Sequence, residues 1–247
     1  MIKNIKNGFT LAETLIAMAI VGVIAALTIP TVVSETQNGK LAASLGRNVE
    51  AIETGCQFIV QRASEASTNN SDGIINGIFM VNTDVNGVAS ADTNRLVHEN
   101  LFSANASEFF NTVPLTSTQI TNYANEVRDI NGNNPSSGPN VLADNFAISS
   151  KFGAYYGYKG NNANTNEIDP IIGYIYIDVN AQKTPNRYGR DIFLFGLTDS
   201  CHMVPAGTTR VNSFRDIPIE SDGCGNSPTS GLSCTLRVVK NGYKIDY

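Results

Sequence analysis

The chain has 247 residues and a formal net charge of −5, a length that suits one large domain or two small ones. Apolar residues make up 42% of it, an ordinary share for a globular protein, so the composition excludes a membrane protein with many spans. The acidic balance argues against a broad nucleic-acid-binding surface, which needs excess positive charge. We therefore expect no nucleic-acid partner.

A short basic segment opens the chain, and an apolar stretch follows it. Lys3 and Lys6 lie in the first eight residues without any acid, and residues 15–29 are apolar or small at every position except Thr28. As a helix, residues 9–30 would be about 33 Å long, which matches the hydrocarbon thickness of a bilayer. The two lysines favour a cytoplasmic N-terminus and place the rest of the chain across the membrane.

One acidic residue near the start of this stretch, Glu13, separates the possible interpretations. A secretory signal peptide needs a small-residue cleavage site after its apolar core, yet Ala25 and Ala26 are followed by Leu27 and the helical pattern continues. A plain signal anchor fits the length of the stretch. It leaves Glu13 unexplained, because a carboxylate at membrane depth is costly and is usually kept for function.

The residues Gly8-Phe9-Thr10-Leu11-Ala12-Glu13 resemble the processing site of type IV prepilins and type II secretion pseudopilins. The resemblance implies that a prepilin peptidase cuts between Gly8 and Phe9 on the cytoplasmic face, and that Phe9 is then N-methylated. It also implies that Glu13, one helical turn from Phe9, pairs with the N-terminal ammonium of a neighbouring subunit. Pro30 would kink a helix that continues beyond it.

A second apolar stripe follows the span. Seven residues recur at steps of three and four: Leu41, Leu45, Val49, Ile52, Cys56, Ile59 and Val60. The stripe predicts that the helix runs to about Ala66, where STNNSDG breaks it. The predicted domains are a leader at 1–8, a membrane-spanning or filament-core helix at 9–30, an amphipathic continuation at 31–66 and a globular head at 67–247.

The head is predicted to be mainly β. Strands are expected at 141–149, 171–179 and 191–197, helices at about 93–110 and 117–128, an apolar patch at 77–81 and a loop at 131–139. Asn241-Gly242 is a strong hairpin signal and predicts pairing of 235–239 with 243–246. The fold class is therefore α+β and pilin-like, with a long N-terminal helix, membrane-spanning in its first half, packed on a C-terminal antiparallel β head.

Residues 177–193 (IDVNAQKTPNRYGRDIF) resemble a DvNGxxxPNxxGxDxF hairpin found in many bacterial pseudopilin-like heads, with Ala181 where glycine is usual. Asp178, Asn180 and Asp191 place three oxygen-bearing side chains around this hairpin, with Asp169 just upstream. Such a loop could hold calcium, which takes six to eight oxygen ligands. The alternative is that Asp178 and Asn180 only cap a turn. We therefore expect no cofactor, with structural calcium as the one candidate.

Four cysteines allow three pairings, and the sequence alone leaves the pairing open. Cys224 and Cys234 flank a Gly-, Ser- and Pro-rich loop, so we favour a bridge between them and a second one between Cys56 and Cys201. A zinc site that used Cys201, His202, Cys224 and Cys234 would lack CxxC spacing. Disulfides in an oxidising compartment are the favoured interpretation.

No nucleophile elbow, HExxH, P-loop or dinucleotide fingerprint occurs, so no enzyme is predicted. The resemblance implies a structural subunit of a type IV pilus-like or type II secretion pseudopilus filament. Its partners would be prepilin peptidase, other pilin subunits, an inner-membrane assembly platform and, before assembly, membrane lipid. It would lie in the inner membrane with its head outside, then in a periplasmic or surface filament. The alternative is a membrane-anchored extracytoplasmic binding protein that does not assemble.

Overall fold

The computed structural model shows, among the residues it describes, three helices and a six-stranded antiparallel sheet. The described residues are 10–66, 113–134, 146–149, 153–160, 171–181, 183–198, 200–208, 224 and 231–247. The expected α+β, pilin-like class is confirmed by a long N-terminal helix followed by this antiparallel sheet.

The elements follow a simple order along the chain. The helices are α1 (Leu11–Ala66), α2 (Ser117–Glu126) and α3 (Cys234–Lys240). The strands are β1 (Val113–Pro114), β2 (Phe146–Ser149), β3 (Tyr155–Gly160), β4 (Ile171–Asp178), β5 (Ile192–Thr198) and β6 (Met203–Pro205). The sheet order β1-β2-β3-β4-β5-β6 pairs every strand with its neighbour in sequence, which makes the sheet a meander.

The chain divides into two compact units, Met1–Lys40 and Leu41–Tyr247, and α1 contributes residues to both. In the second unit, one side of α1 is buried: Leu45 and Ile52 are 0% exposed, Val49 is 5% and Cys56 is 2%. These four residues belong to the predicted stripe. Burying a Leu or Ile side chain stabilises a fold by roughly 1.5–3 kcal/mol, so this stripe is a major contact of the unit.

The sheet is covered on both faces, as the alternation of its strands requires. On β4, Ile175 and Ile177 pack in the same cluster as the buried side of α1, whereas Tyr174 and Tyr176 join a second cluster with Tyr123 of α2. Every residue of β5 is buried. The head therefore has one apolar layer against α1 and a tyrosine-rich layer on the opposite face.

Two polar ties fix how α1 lies on the sheet. The Asn48 side chain, 0% exposed, accepts a hydrogen bond from the Tyr156 hydroxyl on β3. Glu53 accepts the backbone N–H of Met203 on β6 at 2.8 Å. Because buried polar groups are costly without partners, these bonds favour one register over others that the repeating stripe would permit.

The predicted C-terminal hairpin is wrong, because residues 234–240 form α3. Asn241 is the C-cap of α3, and Gly242 adopts the left-handed φ of +68° that ends many helices. The Asn-Gly pair therefore marks a helix end here rather than a two-residue turn between strands. The patch at 77–81 and the helix at 93–110 lie outside the described residues, as do 141–145 of the strand predicted at 141–149.

Candidate functional site

The beginning of α1 is closed by a hydrogen-bonded cap between Thr10 and Glu13. The Glu13 carboxylate accepts from the backbone N–H and the hydroxyl of Thr10, both at 2.9 Å, and the Glu13 N–H donates to the Thr10 hydroxyl at 3.3 Å. This reciprocal arrangement is a capping box, whose local sequence signal is T-x-x-E; the cap was not among the predicted features. Gly8 and Phe9 lie outside the described residues.

The helix that follows this cap exposes its apolar side chains. No side chain of residues 11–33 is buried. Twelve large apolar side chains of α1 in the Met1–Lys40 unit are 48–80% exposed: Leu11, Leu15, Ile16, Met18, Ile20, Val21, Val23, Ile24, Leu27, Ile29, Val32 and Val33. Leu11–Phe58 is long and apolar enough to cross a membrane by length and composition. An apolar surface of this extent marks a membrane or protein contact.

Pro30 lies inside α1, and the helix continues to Ala66. Proline cannot donate a backbone hydrogen bond, so one bond of the helix is missing at this position. Two threonines beside it bond to the backbone: Thr28 donates to the Ile24 carbonyl at 2.9 Å, and Thr31 donates to the Thr28 carbonyl at 2.8 Å. The kink at Pro30 stays a prediction.

Both disulfides form with the pairing favoured from the sequence. Cys56 of α1 is bonded to Cys201 in the turn between β5 and β6, and Cys224 is bonded to Cys234 at the start of α3. The first bridge holds α1 against the sheet, and the second joins Cys224 to the start of α3. Since all four cysteines are in disulfides, no thiolate is left for the alternative zinc site.

The three predicted calcium ligands meet in one hydrogen-bonded cluster at the β4–β5 connection. Asp178, 2% exposed, accepts from the Tyr123 hydroxyl of α2 and from the Asn180 N–H at 3.0 Å. Asp191, 0% exposed, accepts the Asn186 N–H at 2.8 Å. The side chain of Asn180 also hydrogen-bonds to Asp191. Tyr123, which links this cluster to α2, was not predicted from the sequence.

Burial dominates the electrostatics of this cluster. It raises the pKa of Asp178 well above its usual value, and the nearby Asp191 charge raises it further, against the opposing hydrogen bonds from Tyr123 and the turn. Burial also raises the pKa of Asp191, although the backbone N–H groups of Arg187 and Asn186 oppose the shift. In each case, removal of water from the carboxylate outweighs its hydrogen bonds.

The cluster could supply oxygen ligands to a cation, but most of its oxygens already accept hydrogen bonds within the protein. Both carboxylates accept protein hydrogen bonds, which supports their role in shaping the turn. Asn180 Oδ1 is buried without a hydrogen-bond partner among the described residues, so one ligand oxygen remains for a cation. Asp169 lies outside the described residues. Calcium binding at this hairpin stays a prediction.

The backbone of the hairpin explains two positions of the quoted motif. Gly189 has φ of +78°, and a Cβ there would lie 2.5 Å from the Gly231 carbonyl oxygen, so a side chain does not fit. Ala181 has φ of +56°, a left-handed conformation that glycine adopts without strain. The glycine usual at position 181 in the motif therefore has a physical reason, and alanine accepts strain in its place.

The edges of the sheet offer little for an added strand. β1 has two residues and contains Pro114, and β6 has three residues and ends in Pro205. Proline has no N–H, and the N–H of Met203 is already bound by Glu53. Strand addition is therefore a poor route of association for this sheet. The exposed apolar surface of α1 offers a much larger contact area.

Comparison with known families gives a match at the N-terminus. Residues 3–29 match the family model described as the prokaryotic N-terminal methylation motif. Comparisons with curated proteins and with solved structures gave no significant match. The matched range contains the Gly8–Phe9 bond, the Thr10–Glu13 cap and most of the exposed apolar surface. The chain carries at residues 3–29 the signature of type IV pilins and pseudopilins.

Proposed function

We propose that this chain is the precursor of a structural subunit of a type IV pilus-like or type II secretion pseudopilus filament. In this proposal, prepilin peptidase cuts after Gly8, Phe9 is N-methylated, and the subunits assemble through α1. The observation that carries it is the methylation motif at residues 3–29, followed without a break by an exposed apolar helix. Removal of the leader takes away Lys3 and Lys6, and the formal net charge changes from −5 to −7.

Assembly would transfer α1 from lipid into a bundle of helices. Lipid tails are as apolar as the helix, so the gain comes from close packing and from polar contacts between helices. Other pilin subunits and an inner-membrane assembly platform are the partners that this step requires. The proposed location follows: the inner membrane with the head outside, and then a periplasmic or surface filament.

Glu13 would exchange partners during this transfer. In the single chain its carboxylate caps its own helix through Thr10. In the filament it would pair with the N-terminal ammonium of Phe9 in a neighbour. Opposite charges attract more strongly in a helix bundle than in water, so the pair would favour one axial register between subunits.

The head favours a pseudopilus over a pilus. The support is the DvN…PN…G…D hairpin, whose Gly189 and Ala181 adopt the backbone that the motif needs. A DNA-uptake role would call for a basic and aromatic stripe, and the acidic composition argues against it. The rival function is a membrane-anchored binding protein that does not assemble.

The variant Glu13→Gln tests assembly apart from helix capping. Glutamine also serves in a capping box, so the cap on Thr10 is kept while the charge is removed. We expect Glu13→Gln to enter the membrane at the wild-type level but to yield at least tenfold less sedimentable filament in the native host. Glu35→Gln, the same change at an exposed position of α1, should assemble normally. Wild-type filament yield from Glu13→Gln would contradict the charge pair, and absence of filaments from every form would favour the binding protein.

A further inference from the structure

Four exposed basic side chains lie around the first turns of α1 in the Leu41–Tyr247 unit. They are Arg47 on α1, Lys183 in the turn after β4, Lys240 at the end of α3 and Lys244 just beyond it. Within the part of the chain that the structure describes, none of the four forms an ion pair. We call this set the basic rim.

Two contacts bring the rim together. The Val179 carbonyl accepts a hydrogen bond from the Ser44 hydroxyl at 3.2 Å, which places the turn that carries Lys183 beside α1. The Tyr243 ring lies 3.5 Å from the position of a Cβ at Gly46, which places the segment 240–244 beside the same turns of the helix. Both segments therefore lie beside the first turns of α1 in this unit.

Among the residues that the structure describes, the acids near the rim do not cancel its charge. Glu53 is engaged with the Met203 N–H, and Asp246 pairs with Arg237 at 2.9 Å. Glu50 is exposed on α1 and offsets one base. The rim thus keeps unpaired positive charge in a protein whose formal net charge is −5.

The chain limits how far the rim can lie from the apolar part of α1. Arg47, the rim residue on α1, follows Val33, the last large exposed apolar residue of that part, by fourteen positions. Fourteen residues span about 21 Å as a helix, and α1 is helical over this whole stretch. The rim therefore surrounds the α1 residues of this unit that are nearest in sequence to the apolar part.

We propose that the basic rim binds the anionic headgroups of membrane phospholipids while the subunit waits to be assembled. The inference rests on the membrane-anchored precursor of the proposed function. Charge complementarity favours lipid as the partner, because an acidic chain is repelled by an anionic membrane unless its near side is positive. Lys183, Lys240 and Lys244 reach the rim only after folding, so they do not oppose the orientation set by the leader lysines.

Lysine acylation in nanodiscs tests the proposal on the full chain. Single subunits are inserted into discs of phosphatidylcholine alone or with added phosphatidylglycerol, and the acylation rate of each lysine is followed by mass spectrometry. We expect Lys183, Lys240 and Lys244 to react about fivefold more slowly in the anionic discs at low salt. At about 0.5 M salt the difference should disappear, because the charges are then screened.

Two variants make the test specific. In Lys240→Gln/Lys244→Gln, Lys183 should lose most of its protection, because the rim has lost half of its charge. Lys159→Gln is the matched control: residue 159 pairs with Tyr174 near the start of β4, at the other end of the strand from Val179, and should change nothing.

Three outcomes would overturn the proposal. Equal acylation rates in both lipids would show that the rim does not bind headgroups. Slow rates that appear only in discs holding two or more subunits, whatever the lipid, would assign the rim to contacts between subunits. Failure to insert into either disc would contradict the membrane-anchored precursor itself. This outcome is distinguishable from the first two, in which the protein inserts and only the rim proposal fails.

Discussion

The two parts of α1 both carry apolar side chains, but only one part covers them with its own chain. In the Leu41–Tyr247 unit, Leu45 and Ile52 are fully buried against the sheet. In the Met1–Lys40 unit, Leu15 and Ile20 are 59% and 55% exposed. The comparison teaches that one continuous helix can have parts suited to two different environments. Its second part completes a core, and its first part needs lipid or other helices.

Removal of the disulfides should have the largest effect on the stability of the Leu41–Tyr247 unit, which contains the second part of α1. Removing a bridge increases the conformational entropy of the unfolded chain, and the bridged cysteines are 145 and 10 positions apart. Cys56→Ser/Cys201→Ser is expected to cost about 5 kcal/mol, and Cys224→Ser/Cys234→Ser about 3 kcal/mol. Urea unfolding in micelles, followed by tyrosine signals because the chain has no tryptophan, measures both. An equal loss from the two variants would argue against this difference.

Matched leucine substitutions sharpen the comparison directly. Leu45→Ala leaves a cavity in the core and should lower the free energy of unfolding of the head by about 2–5 kcal/mol. Leu15→Ala, the same change at an exposed position, should leave the head's stability unchanged. The same urea titration measures both variants. If Leu15→Ala destabilised the head as well, the first part of α1 would have to pack on it.

The buried carboxylates predict how the head responds to pH. Because folding raises the pKa of Asp178, its contribution is complete below the unfolded value and is lost as pH rises through the folded value. Stability should therefore fall as pH increases above about 4, and Asp178→Asn should reduce this slope. The pKa of Asp191 is raised as well, so Asp178→Asn should keep part of the dependence of stability on pH. A variant slope as steep as that of the wild type would contradict the assignment.

The smallest effect concerns the strained turn. Ala181 has φ of +56°, so Ala181→Gly should relieve strain and raise the free energy of unfolding by up to about 1 kcal/mol. Ala154→Gly, at a fully buried alanine that is not among the positive-φ residues, should instead destabilise the head. The same urea titration compares them, and a destabilising Ala181→Gly would contradict the account of the motif.

The elements that the sequence predicted are those with a local pattern. The 3–4 spacing of Leu45, Val49, Ile52 and Cys56 marks one side of α1, and the alternation at 171–178 marks β4. α3 was mistaken for a hairpin because Asn241-Gly242 serves both a turn and a helix end. β6 has three residues, too few for any period to appear.

The contacts that were not predicted join residues far apart in the chain. Tyr123 and Asp178 are 55 positions apart, and Asn48 and Tyr156 are 108 apart. No spacing rule connects such pairs, because folding of the whole sheet brings them together. The basic rim was hidden for the same reason. The Thr10–Glu13 cap was different, since its signal is local and was available.

The most direct measurement is the intact mass and N-terminal sequence of the membrane-purified protein, from cells with and without their prepilin peptidase. The account predicts a chain that begins at N-methylated Phe9 when the peptidase is present and retains residues 1–8 when it is absent. A chain that keeps residues 1–8 in both strains would contradict the precursor assignment and leave α1 as an ordinary anchor.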